Sequence, residues 1–503
     1  MIIRYFLTIY SVKSLDRVLF KTFRILIIIC ALISGFSIFS YGDPITAIPI
    51  LSMFIMQIIF LESERFRSNV FTLPLMIFLV MYIYIPLAFI SFMGDNYFYG
   101  WGLNHELPFT QEVIKSNYTQ NLFFLFVCIL SVMATLSINK TKYYPLNLDK
   151  NLNNFPIRST VVLGLVVFAV TFNDIAISFE AKKNNTAGSE GLIKFIFFDH
   201  AYLFLAGISI FQLNKYTSFK EIQNKRRSII SIAVLFILLS IFAGSKAGFL
   251  GVFSFFFLIS YFYIRNNPDA VLYFPSMKVL LVLFATSPIV YLAVTFYRIG
   301  LTTSYQFNFM TLFEIFSIID MNTIAALLEN IFYRLSAGGF DRCMIIFNSF
   351  SSFLMPEYGL KDYLPYLLKN AVNLFLPGTP FQEAYAPSSQ LYYQVIAQKP
   401  LDGDLSEAYL LRSINSQAYT IFGVMTIFGG WIAPLLLIFY NYLFCIFYNL
   451  FRSLLIRMIL IYLYMVTLSS FGFEVGFGYT FHVFISLFIM YYIIKFLSKL
   501  KIK

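Results

Sequence analysis

The chain predicts an all-α, polytopic integral membrane bundle of about 12 transmembrane helices, with one large extracytoplasmic loop carrying short helices. Three observations carry that prediction. The sequence is 59% hydrophobic and only 12% charged, outside the range of soluble domains. Its apolar residues come in blocks of roughly 18–23, the length that crosses a hydrocarbon core of about 30 Å. One interval, 298–417, breaks this rhythm by interleaving charged and apolar residues.

The blocks place spans at 23–41, 44–61, 70–92, 121–138, 160–177, 193–213, 229–244, 249–264, 279–297, 418–449, 456–472 and 480–497. The chain therefore divides into an N-terminal membrane bundle (1–297), the large loop (298–417) and a C-terminal membrane bundle (418–503). The first long apolar run, residues 25–41, lacks a short apolar core with a small-residue cleavage site and reads as a retained signal-anchor. Residues 413–451 carry no charge, and one crossing does not need that length. The expectation there is a single tilted helix with an apolar approach segment, bent at Pro434. Gly244-Ser245-Lys246-Ala247-Gly248 is too short for anything but a tight hairpin between two spans.

A formal charge of +11 raises the question of a nucleic-acid partner. The distribution of that charge answers it. With the N-terminus in the cytoplasm, about two thirds of the Lys and Arg residues fall on the inner side, and most acidic residues fall outside. The loop with Lys215, Lys220, Lys225, Arg226 and Arg227 and the tail Lys495–Lys503 are both inside. The basic excess is thus an orientation signal, with both termini cytoplasmic and no nucleic-acid partner implied. Four cysteines give no disulfide framework, since Cys30, Cys128 and Cys445 lie in spans and Cys343 stands alone in the loop.

The interval 298–417 is too apolar for a disordered linker. Glu314, Ile315, Ile318, Ile319, Ala325, Leu328, Phe332 and Leu335 follow helical spacing and suit helices lying at the interface or packed on the bundle. Around it stand outward basic residues: Lys246, Arg298, Arg334, Arg342 and Arg412. Guanidinium groups match phosphate oxygens in a bidentate fork, so such a ring suits a polyprenyl-linked pyrophosphate; the plainer alternative is interfacial snorkelling. The acids Asp341, Glu383 and Glu407 offer a general base for a sugar hydroxyl. Asp402-Gly403-Asp404 reads as a solvated turn. Asp199-His200 lies within a span, where ionisable groups are a functional hypothesis, and His482 at the outer start of the last span is an alternative base. His105, His200 and His482 have no metal-ligand spacing, and no cofactor is implied.

Along the second half stand, in order, the Gly244-Ser245-Lys246 hairpin, Arg298 at a span end, and Tyr333-Arg334-Leu335-Ser336 with Asp341. Leu374-Phe375-Leu376-Pro377 with Pro380 follows, then Ala418-Tyr419…Phe422-Gly423…Gly429-Gly430. In these residues and their order the chain resembles the oligosaccharide repeat-unit polymerases of the O-antigen polymerase (Wzy) type. Arg412 and Gly423 meet the family's Arg-to-Gly loop spacing once, while Lys246 and Thr379 depart from its usual residues.

The resemblance implies a metal-independent, lipid-linked glycan polymerase at the outer face of the bacterial cytoplasmic membrane. It would build O-antigen or capsule from undecaprenyl-pyrophosphate-linked repeat units, with a chain-length regulator as a possible partner. Lys246, Arg298, Arg334, Arg342, Arg412 and Tyr419 would bind substrate, and Asp341 or His482 would be the catalytic base. Tyr385, Tyr392 and Tyr393 would stack on sugar rings. The competing readings are a lipid-linked oligosaccharide flippase or other transporter, and an O-antigen ligase-like glycan transferase.

Overall fold

The computed structural model describes residues 7–10, 12–41, 44–93, 118–142, 261, 265, 272–275, 344, 347, 420–451 and 454–469. They fall in two compact units. In the first, β1 (Leu7–Tyr10) pairs antiparallel with β2 (Leu272–Pro275), Leu7 opposite Pro275 and Tyr10 opposite Leu272. This short ribbon is a local addition to described residues that are otherwise helical, as the sequence predicts. Its aromatic and branched residues suit a pleated surface, and Pro275 stands at the end of its strand, where a missing N–H does least harm. One helical turn of the same unit places Arg265 Nε 3.0 Å from the Tyr261 hydroxyl, with the guanidinium over the ring.

The second unit is helical. α1 (Val12–Tyr41), α2 (Pro44–Glu62) and α3 (Glu64–Ser68) follow one another through short connections. Then come α4 (Thr72–Leu79), a π-helical turn (Val80–Tyr84) and α5 (Ile85–Met93), which form one apolar rod. α6 (Tyr118–Ile138), α7 (Ile421–Gly429), a 3-10 turn (Gly430–Ile432), α8 (Ala433–Leu450) and α9 (Leu454–Ser469) complete it. Among the described residues, four helices are long and apolar enough to cross a membrane: Leu15–Ser40, Thr72–Phe92, Tyr118–Ile138 and Gly430–Leu450. Ala47–Glu62 is a shorter apolar helix.

Sequence pattern explains which face each helix buries. On α1 the buried residues Phe20, Phe23, Ile27, Cys30, Ser34 and Ser37 recur every three or four positions, while Ile25, Leu32, Phe36 and Phe39 face outward. α8 divides in the same way. Leu437, Tyr440, Asn441, Phe444, Cys445 and Tyr448 are buried, and Leu435, Ile438, Phe439 and Tyr442 are exposed. In a bilayer those outer apolar faces meet acyl chains and need no protein partner. α1 begins well before the expected span at 23, because Lys13, Asp16, Arg17 and Lys21 extend the helix out of the apolar zone without a Gly or Pro to stop it.

The π turn has a local cause. Pro86 lacks an N–H and its ring crowds the carbonyl four residues back, so the ladder widens ahead of it. Ile85 N–H bonds to Val80 O, five residues back.

One end of the unit is held by Asn69, buried between α3 and α4. Its amide nitrogen donates to Leu136 O at 3.0 Å and Asn139 O at 2.7 Å, and lies 3.5 Å from Cys445 Sγ. Its amide oxygen accepts from Phe71 N at 3.0 Å. Nearby, Val70 N donates to Thr141 Oγ1 at 3.1 Å, and Thr72 Oγ1 to Phe66 O at 2.6 Å. Asn449 adds a second clamp, donating to Lys140 O at 3.0 Å and accepting from Lys142 N at 2.7 Å. The C-terminal ends of α6 and α8 therefore meet at one level, and the two helices run the same way.

Beyond the Asn69 end, an aromatic core forms around Phe71. Its ring lies 5.7 Å from Phe444, 5.7 Å from Tyr448 and 4.7 Å from Tyr464, centroid to centroid. At the far end Trp431 meets Phe124 at 5.2 Å. Replacing Asn69 by Ala removes both donors and the acceptor at once, leaving buried carbonyls unpaired. We expect a loss of about 2–4 kcal/mol, read as a lower Tm of the purified protein; Asn69→Asp, which sets a buried carboxylate oxygen against those same carbonyls, loses at least as much.

Candidate polar sites in the helical unit

The residues expected to bind substrate or catalyse, Lys246, Arg298, Arg334, Asp341, Arg342, Arg412, Tyr419 and His482, lie outside the described residues. So do Asp199, His200, Glu383, Glu407, Tyr385, Tyr392 and Tyr393. Two members of the large polar interval are described. Met344 and Phe347, just beyond Arg342, are helical and buried. Phe347 packs edge-on against Phe124 at 5.1 Å, and Asn121 Nδ2 points at Met344 O from 3.5 Å. These contacts put that part of the interval against the first turns of α6, at the end opposite Asn69.

The last segment carrying the family resemblance is partly described, and it differs from the single tilted helix expected at 418–449. α7 and α8 are two helices. Thr420 caps α7, its hydroxyl accepting from Gly423 N at 3.5 Å. The break falls at Gly430, whose φ of 54° is the one positive-φ glycine among the described residues. Pro434 does not bend α8. It sits in the helix's first turn, where a missing N–H costs nothing. Phe422 of α7 lies 5.9 Å from Phe78 of α4, ring to ring. Phe444 of α8 touches Phe71, so an unbroken α7–α8 rod would carry Phe422 about 20 Å beyond Phe78 at 1.5 Å per residue. α7 therefore doubles back beside α8. Thr420, Phe422 and Thr426 are fully buried, and Ile421 and Val424 are 1% exposed.

Three polar groupings within the apolar body escaped the sequence reading. Arg457, fully buried in the first turn of α9, donates from Nε to Phe451 O at 2.7 Å. Its guanidinium lies over the Tyr448 ring at 4.5 Å from the centroid, an arrangement that keeps a cation inside without an acidic neighbour in the same turn. Between α8 and α9, the Tyr464 hydroxyl donates to Asn441 Oδ1 at 2.6 Å, and Asn441 Nδ2 donates to Leu437 O at 2.7 Å. Tyr440 bonds Thr467 beside them. Along α1, α2 and the π turn, Tyr84 donates to Gln57, and Ser91 Oγ donates to Ser37 Oγ at 2.8 Å.

Two of these groupings are helix-to-helix clamps of neutral amides and hydroxyls, and the third, Arg457, is a buried cation that joins the start of α9 to the end of α8. Their signal was present as single Gln, Asn, Tyr or Arg residues inside apolar runs, but partners so distant in sequence were not readable. A double-mutant cycle with Asn441→Leu and Tyr464→Phe should give a coupling of about 0.6–1.7 kcal/mol in thermal unfolding, the range for hydrogen bonds between membrane helices. The chain matches no family model, no curated protein and no solved structure.

Proposed function

We propose that this chain polymerises undecaprenyl-pyrophosphate-linked oligosaccharide repeat units into surface polysaccharide at the outer face of the bacterial cytoplasmic membrane. The observation that carries the reading is the order of its motifs around one large polar interval: Lys246, Arg298, Arg334 with Asp341, then Phe422-Gly423 and Gly429-Gly430.

Orientation supports it. Among the described residues of the helical unit, Arg17, Lys21, Arg24, Arg65, Arg67, Lys140, Lys142 and Arg457 gather toward the Asn69 end. The Trp431 end has no Lys or Arg among its described residues. By the positive-inside rule a cytoplasmic Asn69 end fits this reading, with Met344 and Phe347 then on the outer side.

The chemistry is a glycosyl transfer. A hydroxyl on the non-reducing sugar of one lipid-linked unit attacks the anomeric carbon of the growing glycan. The bond from that carbon to the pyrophosphate breaks, and undecaprenyl pyrophosphate leaves. Asp341 or His482 takes the hydroxyl proton, while Arg298, Arg334 and Lys246 hold the pyrophosphate and offset its growing charge. Arg342, Arg412 and Tyr419 line the same substrate path. The transporter reading needs a polar passage, and the uncharged α7, buried from Ile421 to Val424 inside the helical unit, speaks against one there.

Deleting the gene and displaying the surface glycan on a gel tests the proposal. A single-repeat band in place of the ladder, restored by wild type but not by equally expressed Arg298→Ala or Arg334→Ala, is the expected result. Repeat units trapped inside the cell would point to a flippase, and an unchanged ladder would sink the polymerase reading for that glycan.

A further inference from the structure

We propose that α7 is an internal plug, a half-length helix that closes the helical unit to water and solutes from within. The inference does not depend on what the chain transfers.

Its length is the first argument. At 1.5 Å per residue, its nine residues span about 13 Å, less than half a bilayer core. Because it doubles back from Gly430, its N-terminal end lies at the depth of Phe78, well inside the unit. Its surroundings are the second. A helix at the lipid boundary shows one apolar face outward, as α1 and α8 do. The first turn of α7, Thr420 to Val424, is buried on every side, as is Thr426, while Met425 and Gly429 are half-buried. Its sequence, IFGVMTIFG, has no charge on any side, so no face is suited to line a wet channel.

The polar groups it does carry are turned inward on its own backbone. Thr426 Oγ1 donates to Phe422 O at 2.8 Å, and the Thr420 hydroxyl accepts from Gly423 N. Phe422 locks the plug against α4.

Two glycines allow the fold-back. Gly430 has φ 54° and ψ −127°, a backbone region open to glycine and strained for any residue with a Cβ. At Gly429 a Cβ would stand 2.4 Å from Leu436 Cδ1, so α8 approaches closest there, although that side-chain end has some room to move. Gly430 is therefore the decisive residue.

The test uses the full chain in membranes, with its four cysteines replaced by alanine. Phe78→Cys with Phe422→Cys should be joined by a bifunctional thiol reagent that spans two aromatic side chains, as should Phe124→Cys with Trp431→Cys. Cross-linking of the second pair without the first overturns the fold-back. In membranes opened to reagent on both sides, Phe422→Cys alone should react with a membrane-impermeant maleimide at least about tenfold more slowly than in denatured protein. Equal rates overturn the plug. Adding Gly430→Ala should raise that labelling several-fold, and unchanged protection would overturn the role given to Gly430.

Discussion

The interior of the helical unit leaves no water to pair a buried amide or carbonyl, as a hydrocarbon surround would also do, and the unit is organised by that constraint. Helices satisfy their own interiors, so the demand concentrates where they end. Asn69 answers it at the most crowded end. One side chain pairs carbonyls at the end of α6 and an N–H at the start of α4, while lying against Cys445 of α8. Asn449 repeats the device between α8 and the residues after α6. Once these ends are tied, the aromatic core around Phe71 has its walls in place.

Away from the ends, polar side chains serve as clamps. Gln57 with Tyr84, Ser37 with Ser91, Asn441 with Tyr464 and Tyr440 with Thr467 each join two helices across an otherwise apolar contact. Such bonds specify which helix faces which, because lipid tails are as apolar as Leu and Phe and dispersion alone discriminates weakly. The π turn ahead of Pro86 belongs to the same economy. It re-satisfies a backbone that proline has disturbed, and it does so at the turn that presents Tyr84 to Gln57.

The fold-back of α7 links architecture to the functional reading. In the resemblance to repeat-unit polymerases, Phe422-Gly423…Gly429-Gly430 was a string of letters at the entry to a span. In three dimensions, Phe422 becomes the contact of a buried half-helix with α4, and Gly430 the turn from which it hangs. Met344 and Phe347 meanwhile bring part of the polar interval onto α6 at the opposite end from the gathered basic residues. Charge asymmetry and packing thus assign the two ends different environments.

The sequence by itself marked apolar spans at 70–92 and 121–138, close to the helices Thr72–Phe92 and Tyr118–Ile138 that are long and apolar enough to cross a membrane, because bilayer thickness converts directly into the length of an apolar run. It also marked residues 413–451 as too long for one crossing, with Gly429 and Gly430 in plain view. Only tertiary structure decided what the extra length does. An uncharged segment is equally soluble in lipid and in a protein core, so apolarity alone does not distinguish a long tilted span from a span with a helix folded beside it. The φ of Gly430 and the contact of Phe422 with Phe78 make that choice. The same limit hid Asn69, whose partners lie more than sixty residues away and at Cys445. A hydrogen bond across that separation leaves no local pattern, since it is the packing of the helices that brings its two ends together.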